Sequence, residues 1–154
     1  RYNNFYIYIG VVVLIVAALS YVFTHPIQLY VSSTSSMEPT IYPENVMFIN
    51  KTAYRSKLPK KNDVVLINSE TASVPVIHRV IACPGDIVTI KNGLIKVNGK
   101  SVGFDAIDMM TSKTVVLEEN TYYHKGDNIN SYHDIMRLDQ ILGKLIYVSG
   151  GVSK

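Results

Sequence analysis

The sequence predicts a mainly β, antiparallel domain carried on one N-terminal transmembrane helix. Three observations support this. An uncharged apolar run of 19 residues, Phe5 to Phe23, stands near the start of the chain. Short Val-, Ile- and Tyr-rich runs follow Tyr30 at close spacing. Two Asn-Gly pairs, Asn92-Gly93 and Asn98-Gly99, interrupt those runs, and Asn-Gly is the preferred two-residue hairpin turn because both central positions need positive φ. The two parts differ in charge. Residues 1–30 carry one charged side chain, Arg1, and every other Asp, Glu, Lys and Arg lies in 37–154.

At 1.5 Å per residue the apolar run spans roughly 28 Å, close to the ~30 Å hydrocarbon core of a bilayer. Tyr2, Tyr6, Tyr8 and Tyr21 lie toward its ends, where aromatic rings favour the membrane interface. Pro26 stops the helix, with Thr24-His25 its last turn. A cleavable leader is the competing reading, with Ala18-Leu19-Ser20 as a small-x-small cleavage site. The run continues past Ser20 into Tyr21-Val22-Phe23 and exceeds the roughly 7–15 residues of a leader core, which favours a permanent anchor. The expected organisation is an anchor over 1–25 and a β-rich domain over 26–154.

Within that domain the expected strands are Val46–Asn50, Val64–Asn68, Val74–Cys83, Ile87–Lys91, Leu94–Asn98, Thr114–Leu117 and Leu142–Val148. The repeated Asn-Gly turns suggest a meander through residues 87–98 and beyond. Pro75 predicts an edge strand or a bulge at the start of its run, because proline cannot donate to a ladder. Segment 101–113 reads as a loop or one short helix.

Composition removes several classes. Apolar residues make up 47% of the chain and Tyr occurs 11 times, which excludes intrinsic disorder. The single cysteine, Cys83, cannot form an internal disulfide, and nothing matches a multi-Cys metal site. No metal or cofactor is expected. The net charge of +3 is modest and the lysines are scattered, which argues against nucleic acid as a partner.

Four stretches carry candidate chemistry: Thr34-Ser35-Ser36-Met37-Glu38-Pro39-Thr40, Pro75-Val76-Ile77-His78-Arg79-Val80-Ile81, Pro84-Gly85-Asp86, and Lys125-Gly126-Asp127-Asn128 with Asp134 downstream. Ser36 follows the apolar helix closely, in a loop that Pro39 stiffens. A serine hydroxyl is a weak nucleophile until a neighbouring base takes its proton. His78 suits that role at neutral pH, with an ordinary pKa of ~6.5. A carboxylate from Asp127, Asp134 or Asp86 would fix its tautomer. Each stretch alone has a bland reading: a solvated linker, a packed histidine, a turn. Their order along a β-rich chain behind one anchor is more specific.

On these residues the chain resembles the type I signal peptidases, membrane-anchored serine endopeptidases that remove secretory signal peptides. Ser36-Met37-Glu38-Pro39 matches the family's nucleophile motif. His78-Arg79-Val80-Ile81-Ala82-Cys83-Pro84-Gly85-Asp86 matches its second box, with His78 where bacterial members carry Lys. Gly126-Asp127-Asn128 and Asp134 match the last box, although Tyr132-His133-Asp134-Ile135-Met136 replaces the usual Ser-x-Asp-Ser-Arg and Arg137 falls one place late. Endoplasmic-reticulum and archaeal members use Ser-His, usually with an Asp, and Lys125-Gly126-Asp127-Asn128 resembles their box. The resemblance therefore implies a bacterial-style domain with a Ser-His base.

It also implies a division of roles. Ser36 attacks, His78 is the base, and Asp134 orients His78, with Asp127 in reserve. The Ser36 N–H is the first oxyanion donor and the Thr34 hydroxyl the second. Arg79 and Lys125 support the structure. An extended signal peptide with small residues at −3 and −1 would lie between Ile27–Ser35 and Ser73–Ile77, with Met37 and Ile77 as wall residues. Ile41-Tyr42-Pro43 is expected to be exposed and to dip into the lipid interface. The implied partners are signal peptides of secreted pre-proteins and the lipid bilayer, with the domain outside the plasma membrane. A non-catalytic assembly factor that binds a pilin or another secreted substrate, with accessory or pilus-assembly proteins as partners, is the alternative.

Overall fold

The computed structural model describes residues 2–24, 27–70, 72–104, 106 and 109–150. Helix α1 (Tyr2–Thr24) comes first. Its Val- and Ile-rich interior is a weak helix former in water, but in hydrocarbon every backbone group must bond within the helix. Residues Asn4–Tyr21 have a mean hydropathy of 2.0 and none of that stretch is buried, so α1 is long and apolar enough to cross a membrane. His25 and Pro26, where the helix was expected to stop and the second domain to begin, lie outside the described residues.

The strands are β1 (Ile27–Val31), β2 (Val46–Asn50), β3 (Val64–Ile67), β4 (Val76–Ala82), β5 (Ile87–Lys91), β6 (Leu94–Val97), β7 (Lys100–Phe104), β8 (Ser112–Val116), β9 (Thr121–Lys125), β10 (His133–Arg137) and β11 (Ile141–Ser149). They form a seven-stranded sheet in the order β1-β2-β11-β3-β4-β9-β10 and a four-stranded sheet in the order β7-β6-β5-β8. All pairings are antiparallel. The expected class, mainly β with one apolar helix, is the one observed.

Both Asn-Gly turns have the left-handed backbone their sequence demands, with φ of 51° and 76° at Asn92 and Gly93 and 51° and 80° at Asn98 and Gly99. They join β5, β6 and β7 into the expected meander. Segment 101–113 is neither loop nor helix throughout: residues 101–104 belong to β7 and 112–113 to β8, while Asp105, Ile107 and Asp108 lie outside the described residues. Pro75 marks neither an edge nor a bulge. It stands just before β4, an interior strand whose irregularity falls later, between Val80 and Ala82. Ile41 is fully buried, so it is unavailable to lipid.

Strand alternation divides the large sheet between two apolar clusters. Ile77, Val64, Leu66 and Ile49 pack with Met37 and Ile41 on one face. Val65, Ile67, Val80, Tyr122 and Met136 pack on the other. A third cluster, built on Val88, Ile90, Ile95 and Val97, joins the small sheet to Ala82 and Tyr123. Gly143 in β11 permits the close packing of β2, since a Cβ there would stand 2.7 Å from the Asn50 carbonyl oxygen and 2.7 Å from Ile49 Cγ2. Gly143→Ala should therefore destabilise the domain by about 1–3 kcal/mol through forced strand displacement. A denaturant midpoint equal to that of the parent would contradict this close packing.

Candidate active site

The Ser36 loop is shaped by its own burial. Ser32 N–H donates to Asn45 O at 2.9 Å, and the Thr40 and Ile41 amides donate to Met37 O at 2.8 and 2.9 Å. Met37 and Ile41 anchor this turn in the core. Ser36 remains half-buried beside them. Its hydroxyl pairs with the Thr34 hydroxyl at 3.1 Å. Its own N–H makes no hydrogen bond to the described residues.

The Gly126-Asp127-Asn128 turn holds this loop down. Asn128 N–H donates to Ser36 O at 3.0 Å, and Asn128 Nδ2 donates to Ser35 O at 3.1 Å. Gly126 is required by space rather than by conformation. A Cβ there would stand 2.2 Å from Ser36 O and 2.6 Å from Ser131 Cβ. Asp127 takes a two-point contact from Arg79, Nε to Oδ1 at 2.8 Å and Nη2 to Oδ2 at 2.6 Å, and also accepts from the Thr40 hydroxyl. Burial works to raise the Asp127 pKa, but the Arg79 fork and the Thr40 hydroxyl outweigh it and hold the carboxyl below its ordinary value.

His78 stands next to Arg79 in β4 and points to the opposite face. It is 3% exposed, as is His124 of β9. The register sets Val80 opposite His124 and Arg79 opposite Lys125, so the two imidazoles meet across the ladder with their Nδ1 atoms 2.9 Å apart. Continuing that register by one residue brings Gly126, and the Ser36 backbone packed on it, to the level of His78. Nε2 of His78 makes no hydrogen bond to the described residues, and no buried side-chain nitrogen or oxygen among them lacks a partner. Nε2 is therefore the atom through which the ring reaches solvent. Burial drives the His78 pKa well below its ordinary 6.5; Lys125 and His133 add to this and Asp127 opposes it. Burial drives His124 down as well, assisted by His78 and His133 and opposed by Asp134.

The other expected residues divide. Asp134 bonds the Tyr132 hydroxyl and the Ile135 amide, and its register partner is His124, not His78. Asp86 caps the Pro84-Gly85 turn through Cys83 N and pairs with Lys61 at 2.9 Å, away from Ser36. Lys125 Nζ is buried against Gly126 O, Asn128 O and Ser131 Oγ at 3.2, 2.8 and 3.1 Å, which stiffens the same turn. The two expected substrate rails do come together: a groove of about 40 Å³ is lined by residues of both, including Val31, Thr34, Val74 and Ile77. Met37 lies fully buried in the cluster that Ile77 shares. A larger cavity of about 780 Å³ lies over Arg79, Asp127 and Lys125 and is not lined by Ser36 or His78.

The match to known proteins covers this framework. A family model described as signal peptidase, peptidase S26, matches residues 3–144. The chain belongs to the signal peptidase family. It is 33% identical over 101 residues to signal peptidase I T of Bacillus subtilis (strain 168), covering 65% of this chain and 52% of that one. It is 32% identical over 103 residues to signal peptidase I of Bacillus amyloliquefaciens, covering 66% and 53%. The chain thus spans about half the length of the curated relatives it matches. A crystal structure of a signal peptidase I from Enterococcus faecalis V583 superposes with a TM-score of 0.46 at 20% identity, covering 58% of this chain and 98% of that one.

Sequence reasoning missed His124. Its signal was available only in combination: His124 lies two residues before the Gly126 turn, on a strand that was not recognised. Two buried neutral histidines have a thermodynamic signature. Each binds its proton more weakly folded than unfolded, so the unfolded chain takes up more protons as pH falls below about 6.5. Stability should decline from that pH downward, by up to about 1.4 kcal/mol per pH unit for each histidine, until the folded-state pKa is reached. Melting temperature measured from pH 8 to 5 should show the slope, and His124→Phe should flatten it. Equal slopes in the two proteins would contradict a neutral buried pair.

Proposed function

We propose that this chain is a membrane-anchored serine endopeptidase of the Ser-His type that cleaves signal peptides from secreted proteins after small residues at −3 and −1. The observation that carries the reading is the packing of the Ser36 backbone against Gly126, level with His78, whose one solvent-facing nitrogen is Nε2. Family membership supplies the reaction class. The relatives matched here are named signal peptidases.

In this mechanism Ser36 turns its hydroxyl from Thr34 to Nε2 of His78 when substrate fills the groove, since catalytic hydrogen bonds often tighten only in the substrate complex. Oγ attacks the scissile carbonyl carbon as its proton passes to Nε2. The oxyanion is met by the unengaged Ser36 N–H and, second, by the Thr34 hydroxyl that Ser36 has released. His78 then gives its proton to the leaving amine as the C–N bond breaks, leaving an ester on Ser36. Water, deprotonated by His78, attacks that ester and restores Ser36 with its proton. The groove between the two rails is too small for a large side chain, which supports selection of small residues beside the scissile bond. Asp127 holds the Ser36 loop through Arg79 and Thr40. The proposed site faces the outside of the plasma membrane, where secretory precursors present their cleavage sites. The non-catalytic reading, a groove that only holds a pilin, has no separate observation in its favour.

Ser36→Ala should leave a folded protein whose cleavage of a pre-protein is reduced by at least about 10³-fold. Retained turnover would exclude Ser36 as nucleophile. Activity should require neutral His78, and its burial places the acid limb of the rate profile below pH 6.5 rather than at or above it. An acid limb at or above 6.5, still present in the His78→Lys protein, would assign that titration to another group. Added protease should degrade residues 27–150 in intact protoplasts; their protection until lysis would reverse the proposed orientation.

A further inference from the structure

The buried histidine pair poses a problem that the Ser-His reading leaves open. Two neutral imidazoles whose Nδ1 atoms are 2.9 Å apart share one proton between those atoms. If His124 is the donor, His78 carries its own proton on Nε2 and cannot accept one from Ser36. If His78 is the donor, its lone pair stands on Nε2 and it can act as a base. No carboxylate touches His78 Nδ1 to decide the matter: Asp127 is engaged by Arg79 and Thr40, and Asp134 by Tyr132 and Ile135.

We propose that His124 is the positioning residue that selects the working tautomer of His78, accepting its Nδ1 proton, and that Asp134 acts on His124 rather than on His78. The inference rests on the Ser-His reading above. The surroundings of His124 favour this arrangement. His124 also lines a cavity of about 80 Å³ whose other residues include Asp134, Glu70 and Tyr132. With its Nδ1 engaged by His78, the rest of the His124 ring is left to this carboxylate-lined cavity, which favours an N–H on that side over a second lone pair. During attack the Ser36 proton reaches His78 Nε2, and the resulting positive charge is shared through the Nδ1–H···Nδ1 bond toward His124. Asp134, paired with His124 in the β9–β10 ladder, stabilises that charge. The proton returns by the same atoms to the leaving amine, so none is gained or lost.

The charged and titratable groups around the pair come from each neighbouring segment. Lys125 of β9, Asp127 of the following turn and His133 of β10 act on His78. His78 of β4, with His133 and Asp134 of β10, acts on His124, whose ring also contacts Tyr132. The segment of β3 beside them, Val64–Ile67, is apolar.

The test begins with a measurement that needs no cleavage. In the detergent-solubilised full chain labelled with ¹⁵N-histidine, long-range ¹H–¹⁵N correlation spectra should show His78 protonated at Nδ1 and His124 at Nε2. The opposite pattern would overturn the proposal even if Ser36 proves to be the nucleophile. Conversely, an inactive parent chain would remove the hydrolase reading while leaving the spectra to decide the tautomer. In kinetics, His124→Phe should lower kcat by about 10²–10⁴-fold with KM little changed, the loss expected when the base adopts the wrong tautomer. His124→Asp restores an acceptor at the same point. It should recover kcat to within about tenfold of the parent and move the acid limb to higher pH, because a carboxylate there favours the imidazolium. If His124→Asp is as slow as His124→Phe and the acid limb does not move, His124 is structural and the proposal fails.

Discussion

The site depends on one ion pair that ties three segments together. Arg79 leaves β4 on the face opposite His78 and forks onto Asp127, while its Nη1 also donates to Asn62 O at 3.1 Å. Asp127 belongs to the turn after β9 and reaches Thr40, four residues beyond Ser36. The pair therefore fixes the distance between the strand that carries His78, the turn that carries Gly126, and the loop that carries Ser36. Its geometry needs a planar guanidinium, because a lysine ammonium would supply a point charge without the two parallel bonds. The side chains are 26% and 16% exposed, so water screens the attraction and alignment matters more than gross Coulomb energy.

The same strand pair manages charge on its two faces in contrasting ways. On one face Lys125 is buried, and three oxygens of the Gly126–Ser131 turn receive its ammonium. An ammonium so satisfied serves as a strut. On the other face two imidazoles are buried against Val65, Val80 and Tyr122, where a charge would be poorly solvated, and burial keeps both neutral. A lysine base needs a dry pocket to lose its proton at all, whereas an imidazole starts close to neutral pH. In the proposed mechanism the difficulty is consequently one of tautomer rather than of ionisation. That makes a partner at Nδ1 more consequential here than dryness.

Local sequence chemistry carried much of the fold. The Asn-Gly turns and the Val/Ile runs from 46 to 97 announced their strands because the signal lies within a few residues. β1, β9 and β10 were not legible: IQLYV is short and follows the apolar helix, while TYYHK and HDIMR mix charge, histidine and aromatic residues without a clean alternation. They are strands because neighbouring strands and the two apolar faces hold them. Pro75 was legible as a constraint but misassigned, since a proline immediately before a strand satisfies the missing donor as well as one at an edge. In the candidate site, Ser36, His78 and the Gly126 turn are singled out by their motifs. The partnership of His78 with His124 could not, because it follows from a register between β4 and β9, and β9 itself was missed.

In the proposed reading, the path from membrane to site adds a constraint on what can be cleaved. Two residues separate the end of α1 from the start of β1, and Ser36 comes twelve residues after Thr24. Fully extended, twelve residues reach at most about 40 Å. Along the way β1 keeps Ile27 and Leu29 outward at 55% and 59% exposure, on the strand that follows the helix. Apolar side chains in that position are costly in water and suited to the lipid interface. In the proposed reading the groove is thus held close to the bilayer. A substrate whose cleavage site lies a few residues beyond its own apolar segment is then delivered to Ser36 by membrane insertion, at high effective concentration. The small groove needs to distinguish side-chain size only among peptides already held there, which explains how a pocket of about 40 Å³ could be selective without contributing much affinity.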